Sequence, residues 1–295
     1  MKALVLAFSI AVGPLAGASL LGGCNERSAT DRAPAAGAER AVQEPRPPQR
    51  APLPGDVRRA REFAATRGDA VSFAAIDSRG RTYGFRAALP HQSASVTKSM
   101  LLAGYLDRVG EADLDAAEQD RLRAMITYSD NDAADAVYAT VGDGGLEQVA
   151  ESAGMRDFEP AGYWSEAWIT ARDMARFMWV LERRSLAPAH RDFALDLLAG
   201  IVPDQRWGIP AAADDAWSVW FKGGWRPSST GSLVHQAALL RDRNRRIAIA
   251  VLTDAQPSHA YGTETVHGIA QRLLGIGRPP PVSRAWTLGH ARRGS

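Results

Sequence analysis

Residues 95–106 read SVTKSMLLAGYL, a polar start followed by an apolar run that is typical of a buried helix. Positions i and i+3 of a helix share a face, so the hydroxyl of Ser95 and the amine of Lys98 are expected to lie side by side. A serine hydroxyl is a weak nucleophile unless an adjacent base accepts its proton. The stretch therefore predicts Ser95 as a nucleophile and Lys98 as its base.

Lysine is unusually rare in this chain. Of 35 lysines and arginines only Lys2, Lys98 and Lys222 are lysines. Arginine stays protonated in proteins, whereas a lysine that is buried near another cation can lose its proton. The two lysines far from the start of the chain, Lys98 and Lys222, therefore indicate a role in proton transfer.

Two further motifs follow the SxxK of residues 95–98. SDN occupies residues 129–131 between two helical stretches, and KGG occupies residues 222–224 at the end of a strand-like run. SxxK, SDN and K(T/G)G in this order are the motif set of class A β-lactamases and penicillin-binding proteins. The chain resembles this superfamily of active-site serine enzymes over roughly residues 56–275.

The resemblance implies a role for each polar residue of the motifs. Ser95 is expected to be acylated by an amide carbonyl while Lys98 accepts its proton. Ser129 is expected to relay a proton to the leaving nitrogen, in the positive field of Lys222. The resemblance implies neither a metal nor another cofactor.

The substrate-binding residues implied by the resemblance are Asn131, Gly223, Gly224 and Trp225. Asn131 is expected to hydrogen-bond a substrate amide, and the N–H groups of Ser95 and Trp225 are expected to form an oxyanion hole. Gly223 departs from the family pattern, which has Thr or Ser there, so a hydroxyl contact to a substrate carboxylate is missing. Arg226 or Ser228 is a possible substitute.

The second departure is the lack of an ExxLN motif, which supplies the deacylating carboxylate in class A enzymes. Glu159, which is followed by Pro160, is the candidate for a water-activating base. The alternative is a solvated loop acid, and Glu166 is a weaker candidate. Release of the acyl group is therefore the less certain half of the reaction.

The pattern of strands and helices predicts an α+β fold with a five-stranded antiparallel sheet, flanking helices and a helical lobe. The active site is expected between the lobes. Strands are predicted at 70–76, 81–86, 217–222, 232–240 and 246–253, and helices at 57–66, 114–126, 133–140, 170–183, 190–198 and 259–274, besides the run that follows Lys98.

Composition excludes several other classes. A net charge of +2 spread over interspersed arginines and acids gives no basic stripe for nucleic acid. The six histidines form no HExxH motif, so His259 and His267 are expected on a helix surface or in packing. No serine lies in GxSxG, which argues against an α/β-hydrolase. Most of the eight tryptophans are expected in the core, with Trp164, Trp207 and Trp225 as candidates for the cleft.

The start of the chain predicts export. Residues 1–23 read as a signal peptide that ends in Leu21-Gly22-Gly23, and Cys24 would then be lipidated at the mature N-terminus. An uncleaved anchor or an ordinary signal peptide is the alternative. Residues 24–54 read as a disordered tether rich in Pro, Ala and Arg, residues 55–275 as one catalytic domain, and residues 276–295 as a Pro-rich tail. We expect a lipid-anchored envelope protein.

Three functions remain open from the sequence. The first is a class A β-lactamase that is acylated at Ser95 by β-lactam amides and hydrolyses them. The second is a penicillin-binding D-alanyl-D-alanine peptidase acting on peptidoglycan, and the third is a lipoprotein that binds wall peptide or β-lactam without turnover. In each case the partner is a β-lactam or a peptidoglycan stem peptide, with the membrane contacted through the lipid anchor, and a monomer is expected.

Overall fold

Five strands form one antiparallel sheet in the computed structural model, which describes residues 52–184 and 186–276. The strands of the chain are β1 (Val71–Ile76), β2 (Thr82–Phe85), β3 (Pro90–Gln92), β4 (Trp168–Thr170), β5 (Ser218–Ser228), β6 (Gly231–Arg241) and β7 (Arg246–Gln256). The order of the main sheet is β2-β1-β7-β6-β5, and β3 pairs with β4 in a separate two-stranded sheet. The predicted five-stranded antiparallel sheet is confirmed.

Eight α-helices surround and extend this sheet in the described residues. They are α1 (Pro54–Ala65), α2 (Lys98–Val109), α3 (Ala116–Thr127), α4 (Asn131–Ala153), α5 (Ala171–Val180), α6 (Pro188–Ala199), α7 (Ile209–Ala212) and α8 (His259–Leu273). Helices α1 and α8 pack together, with α8 on β6 and β7, while α5 packs on β1, β6 and β7. Helices α2, α3 and α4 pack on one another as the helical lobe, so the predicted α+β class is also confirmed.

The core lies on the central strands. All six residues of β1 are buried, and residues 247–252 of β7 are fully buried. A strand that is buried at every position must be covered on both faces, which explains why both segments are apolar at every position except Ser72 rather than alternating. The sheet therefore gives a rigid base for the strand at its edge, β5.

Several elements differ from the sequence prediction. Strand β5 continues to Ser228 instead of ending at Lys222, because it pairs with β6 over its whole length. Helix α4 runs on to Ala153, through a kink at Gly142, where φ is +63°. The short strands β3 and β4 were not predicted, since a three-residue strand has too little periodicity to be recognised.

The predicted signal peptide, Cys24, most of the tether and all but the first residue of the predicted tail lie outside the described residues. Among residues 52–184 and 186–276, no helix is long and apolar enough to cross a membrane.

Candidate active site

Ser95 lies in a 3₁₀ turn, Ala94–Thr97, directly before α2. Ala94 has φ +45°, a conformation that is uncommon for a residue with a side chain. The turn is held by the segment between α4 and β4, because Ala94 N donates to Ser165 O over 2.9 Å and Ser93 Oγ donates to Trp164 O over 3.0 Å. The backbone before Ser95 is therefore strained and fixed by its neighbours.

Strand β5 lies against the turn that carries Ser95. A Cβ atom placed on Gly224 would lie 2.8 Å from the backbone nitrogens of both Ser95 and Val96. Only glycine allows this approach, which explains the second glycine of the KGG motif. The backbone of Trp225, the next residue, is consequently next to the turn, as an oxyanion hole formed with Ser95 would require.

Lys98, the first residue of α2, is fully buried. Its Nζ donates to Ser129 O over 2.6 Å, to Asp130 O over 3.0 Å and to Asn131 Oδ1 over 2.7 Å. Three donated hydrogen bonds require the ammonium form, since a neutral amine has only two N–H groups. In the described part of the chain, no hydrogen bond joins the Ser95 hydroxyl to this amine.

The proton on Lys98 is nevertheless weakly held. Burial lowers the pKa of Lys98 to about 8, although the charges of Asp130 and Asp135 oppose the change. With a pKa of about 8, roughly a tenth of the molecules carry a neutral amine at pH 7. On losing its proton, Lys98 gains a lone pair that can accept the proton of a nucleophile.

Ser129 brings the two lysines together. Its hydroxyl accepts from Lys222 Nζ over 3.0 Å and lies 3.5 Å from Lys98 Nζ. Its φ of +61° is again unusual for a residue with a side chain, and its carbonyl is fixed by Lys98. This geometry places one hydroxyl between two amines, which is the arrangement a proton relay needs.

Lys222 is the more deeply buried of the two amines. It is fully buried in β5 and also donates to Gly223 O over 2.9 Å. Burial first, and repulsion by Lys98 second, hold the pKa of Lys222 well below its ordinary value. Lys98 therefore makes it easier for Lys222 to lose its proton.

A cavity of about 210 Å³ opens above this group of residues. Its lining is Ala94, Ser95, Asn131, Tyr163, Trp164, Ser165, Trp225 and Arg226. The structure thus brings together at one opening five residues that the sequence singled out: Ser95, Asn131, Trp225, Arg226 and the cleft candidate Trp164.

Gly223 faces the ring of Trp207. A Cβ atom on Gly223 would lie 3.4 and 3.5 Å from two carbons of the Trp207 ring. The indole therefore takes the space beside a position where the family usually has a hydroxyl. The two residues suggested as replacements already have partners: Arg226 pairs with Glu166, and Ser228 Oγ donates to Asp254 Oδ1 over 3.1 Å.

Glu166 is held in a polar network at the rim of the cavity. It forms an ion pair with Arg226 and accepts from Gln92 Nε2 over 2.8 Å, and Arg226 lowers the pKa of its carboxyl. Both carboxylate oxygens are engaged. Proton transfer from a water molecule to this group would have to disrupt the ion pair.

Glu159 is not brought to Ser95. It is exposed, pairs with Trp168 in an isolated antiparallel bridge, and lines a different cavity of about 420 Å³. The lining of that cavity also includes Pro90 and Thr170, and it shares no residue with the cavity at Ser95. The position proposed for a water-activating base is therefore separated from the nucleophile.

Trp164 and Asp135 are neighbours of Lys98 whose roles sequence reasoning missed. The Trp164 ring centre lies 4.7 Å from Lys98 Nζ, within the range of a cation–π contact. Asp135 Oδ1 accepts from Trp164 Nε1 and from Tyr163 Oη, each over 2.7 Å, and these bonds lower the pKa of Asp135. Asp135 follows Asn131 by four residues, which could have marked it as lying on the same helix face.

Histidine and acidic residues do not gather into a metal site among residues 52–184 and 186–276. His259, at the start of α8, lies against Trp207 and Trp225 instead. His267 is half-buried on the same helix.

Solved structures with the same fold are numerous. A β-lactamase from Sphaerobacter thermophilus DSM 20745 has a TM-score of 0.63 at 22% identity, covering 77% of this chain and 98% of that one. A class A β-lactamase from Mycobacterium abscessus has a TM-score of 0.62 at 19% identity, covering 75% and 98%. A β-lactamase from Chitinophaga pinensis DSM 2588 has a TM-score of 0.65 at 17% identity, covering 74% and 97%. These likenesses establish the fold.

Sequence comparison establishes the family. No curated protein is similar enough in sequence to count as a relative. Residues 119–276, more than half of the chain, match the family model described as the beta-lactamase enzyme family. With the SxxK, SDN and KGG motifs meeting at one cavity of a β-lactamase fold, the chain belongs to the beta-lactamase enzyme family.

Proposed function

We propose that this protein is a serine hydrolase that is acylated at Ser95 by β-lactam amides and then hydrolyses them, with release as the slower half. The observation that carries the proposal is the Ser129 hydroxyl, 3.0 Å from Lys222 Nζ and 3.5 Å from Lys98 Nζ, beside the cavity that Ser95 lines. Membership of the beta-lactamase enzyme family supports a β-lactam as the substrate.

In the proposed acylation step, neutral Lys98 accepts the proton of Ser95 as its oxygen attacks the amide carbonyl. The developing oxyanion is stabilised by the N–H groups of Ser95 and Trp225. Ser129 gives its proton to the ring nitrogen as the C–N bond of the β-lactam breaks and is reprotonated from the lysine pair, which leaves the ring-opened molecule on Ser95 as an ester with its nitrogen still attached. Asn131, whose Oδ1 accepts from Lys98, keeps its Nδ2 group for the substrate amide.

Acylation is tested directly by mass. Incubation with a penicillin is expected to increase the mass of the intact protein by that of one penicillin, and Ser95→Ala is expected to abolish the increase because the attacking oxygen is gone. Ser165→Ala, which removes another hydroxyl from the same cavity, is the matched control and should retain the adduct. An adduct of undiminished yield on Ser95→Ala would contradict the proposal.

The pH dependence of acylation follows from Lys98. Because its pKa is about 8 and the neutral form is the base, the second-order rate of adduct formation should rise about 50-fold from pH 6 to pH 8 and level off above pH 9. Stopped-flow measurement with a chromogenic cephalosporin checks this. Lys98→Arg should be slowed at least about 100-fold, with no such rise, because arginine keeps its proton. A flat profile in the unsubstituted protein would exclude Lys98 as the base.

A second candidate function, in which the acyl group is not released by activated water, is supported by the positions of Glu159 and Glu166. Glu159 lines another cavity, Glu166 is paired with Arg226, and the Trp164 ring lies over Lys98. An acyl group would then persist on Ser95, as expected of a D-alanyl-D-alanine peptidase acting on wall peptides or of a lipoprotein that binds without turnover. Repeated release of D-alanine from a peptide ending in D-Ala-D-Ala would favour the peptidase, and a single stoichiometric burst the binder.

The Glu159→Gln variant tests the release of the acyl group, the step at which the hydrolytic and the persistent-adduct functions differ. Because Glu159 is exposed and remote from the cavity, we expect both the rate of adduct formation and the lifetime of the adduct to stay within about twofold of the original values. Time-resolved mass spectrometry after removal of free penicillin measures the lifetime. Glu166→Gln, which breaks the ion pair with Arg226, is the comparison variant. A lifetime prolonged tenfold by Glu159→Gln would restore Glu159 as the base.

We also propose that the protein is exported and anchored to the outer face of a bacterial membrane through Cys24 as a monomer. The apolar leader that ends in Leu-Gly-Gly before the single cysteine supports this. Two acyl chains give stable anchoring where one chain does not. Membrane retention unchanged by Cys24→Ser would contradict lipid anchoring.

A further inference from the structure

Exposed aromatic side chains concentrate beside the Ser95 cavity. Five large hydrophobic side chains are exposed among residues 52–184 and 186–276: Leu53, Tyr128, Tyr163, Trp168 and Trp225. Tyr163 and Trp225, exposed by 39% and 36%, line the cavity itself, and Tyr128, exposed by 64%, directly precedes Ser129. Exposed apolar surface at the mouth of a cleft is typical of a ligand-binding region.

Trp225 belongs to a cluster of three rings, which we call the aromatic shelf: Trp207, Trp225 and His259. The ring centres are 5.7 Å apart for Trp207 and Trp225, 5.4 Å for Trp207 and His259, and 5.8 Å for Trp225 and His259. The rings come from the loop before α7, from β5 and from the start of α8. Three separate elements therefore converge on one apolar surface.

The shelf carries little charge. Burial lowers the pKa of His259, so its ring is neutral at neutral pH. The two nearest cations of β5 are already engaged, since Lys222 donates to Ser129 Oγ and Gly223 O, and Arg226 is paired with Glu166. An uncharged ring would gain aromatic contacts with the three rings of the shelf.

The position of the aromatic shelf relative to Ser95 determines which half of the substrate the shelf contacts. Trp207 packs on Gly223, the residue after Lys222, whose amine holds the Ser129 hydroxyl. Under the proposed function, Ser129 protonates the leaving nitrogen, so this side of the cavity receives the leaving group. Tyr163 and Trp164 lie near Asn131, on the side that receives the acyl half of the substrate. Both side chains donate to Asp135, which follows Asn131 by one helical turn.

We propose that the aromatic shelf is a subsite that binds a planar, uncharged ring on the leaving-group side of the substrate. The assignment of the shelf to the leaving-group half of the substrate rests on the proposed function. The binding of the ring itself does not depend on turnover. The hydroxyl missing at Gly223 then has a reason: the indole of Trp207 replaces a polar contact by an aromatic one.

The test uses two amide substrates that share the acyl half and differ in the leaving group, which carries a phenyl ring in one and a methyl group in the other. The phenyl compound should have the higher kcat/KM for acylation. Trp207→Leu should reduce this preference about tenfold, which corresponds to about 1.4 kcal/mol, and should leave the rate for the methyl compound within about twofold. Trp220→Leu removes an indole from β5, the strand of Trp225, at a position outside the shelf. This variant is the matched control and should keep the preference.

Binding to Ser95→Ala protein, measured by isothermal titration calorimetry with the same two compounds, separates the shelf from the proposed function. Tighter binding of the phenyl compound, reduced by Trp207→Leu, supports the shelf even if the unsubstituted protein is never acylated. Equal affinities and equal rates for the two compounds would overturn it. If circular dichroism shows that Trp207→Leu does not fold, His259→Ser removes a ring at the surface instead and should reduce the preference in the same direction; an unchanged preference would overturn the shelf.

Discussion

The buried ammonium of Lys98 organises the catalytic centre. Taking a charged amine out of water costs several kcal/mol, and the cost is offset only if its N–H groups find acceptors. The acceptors here are two backbone carbonyls and one side-chain oxygen, all from residues 129–131. The amine thus fixes the start of α2 to the start of α4, and the hydroxyl of Ser129 takes its position from the same contacts.

Two strained backbone positions follow from this arrangement. Ala94 and Ser129 both have positive φ, and each lies next to or within a motif of the site. A residue stays in such a conformation only when its surroundings fix it, and here Ser165 holds Ala94 while Lys98 holds Ser129. The backbone at the two serines is therefore fixed before a substrate arrives, which under the proposed function lowers the entropic cost of the reaction.

Under the proposed function, acylation and release depend on different groups of this region. Acylation would use the two lysines, the two serines and two N–H groups, which lie at the cavity or beside it. Release needs a base for water, yet the loop above Lys98 presents an indole, held by Asp135, where a carboxylate would be useful. Trp207 takes the space beside Gly223, where the family pattern has a hydroxyl, so an aromatic ring also lies at this departure from the pattern.

The sequence by itself determined the motifs, the antiparallel sheet and the helical lobe, because these depend on local spacing and on apolar periodicity. It identified Ser95, Lys98, Ser129 and Lys222 as candidates because the two lysines outside residues 1–23 both fall within motifs of the superfamily. It misjudged the end of β5, where two glycines resembled a strand terminus although one of them lies against the Ser95 turn and the other against Trp207. Tertiary structure alone decided that Glu159 lies at another cavity, that Arg226 neutralises Glu166, and that Trp164 covers Lys98. These facts depend on contacts between residues far apart in the chain, and neither propensity nor spacing carries information about such contacts.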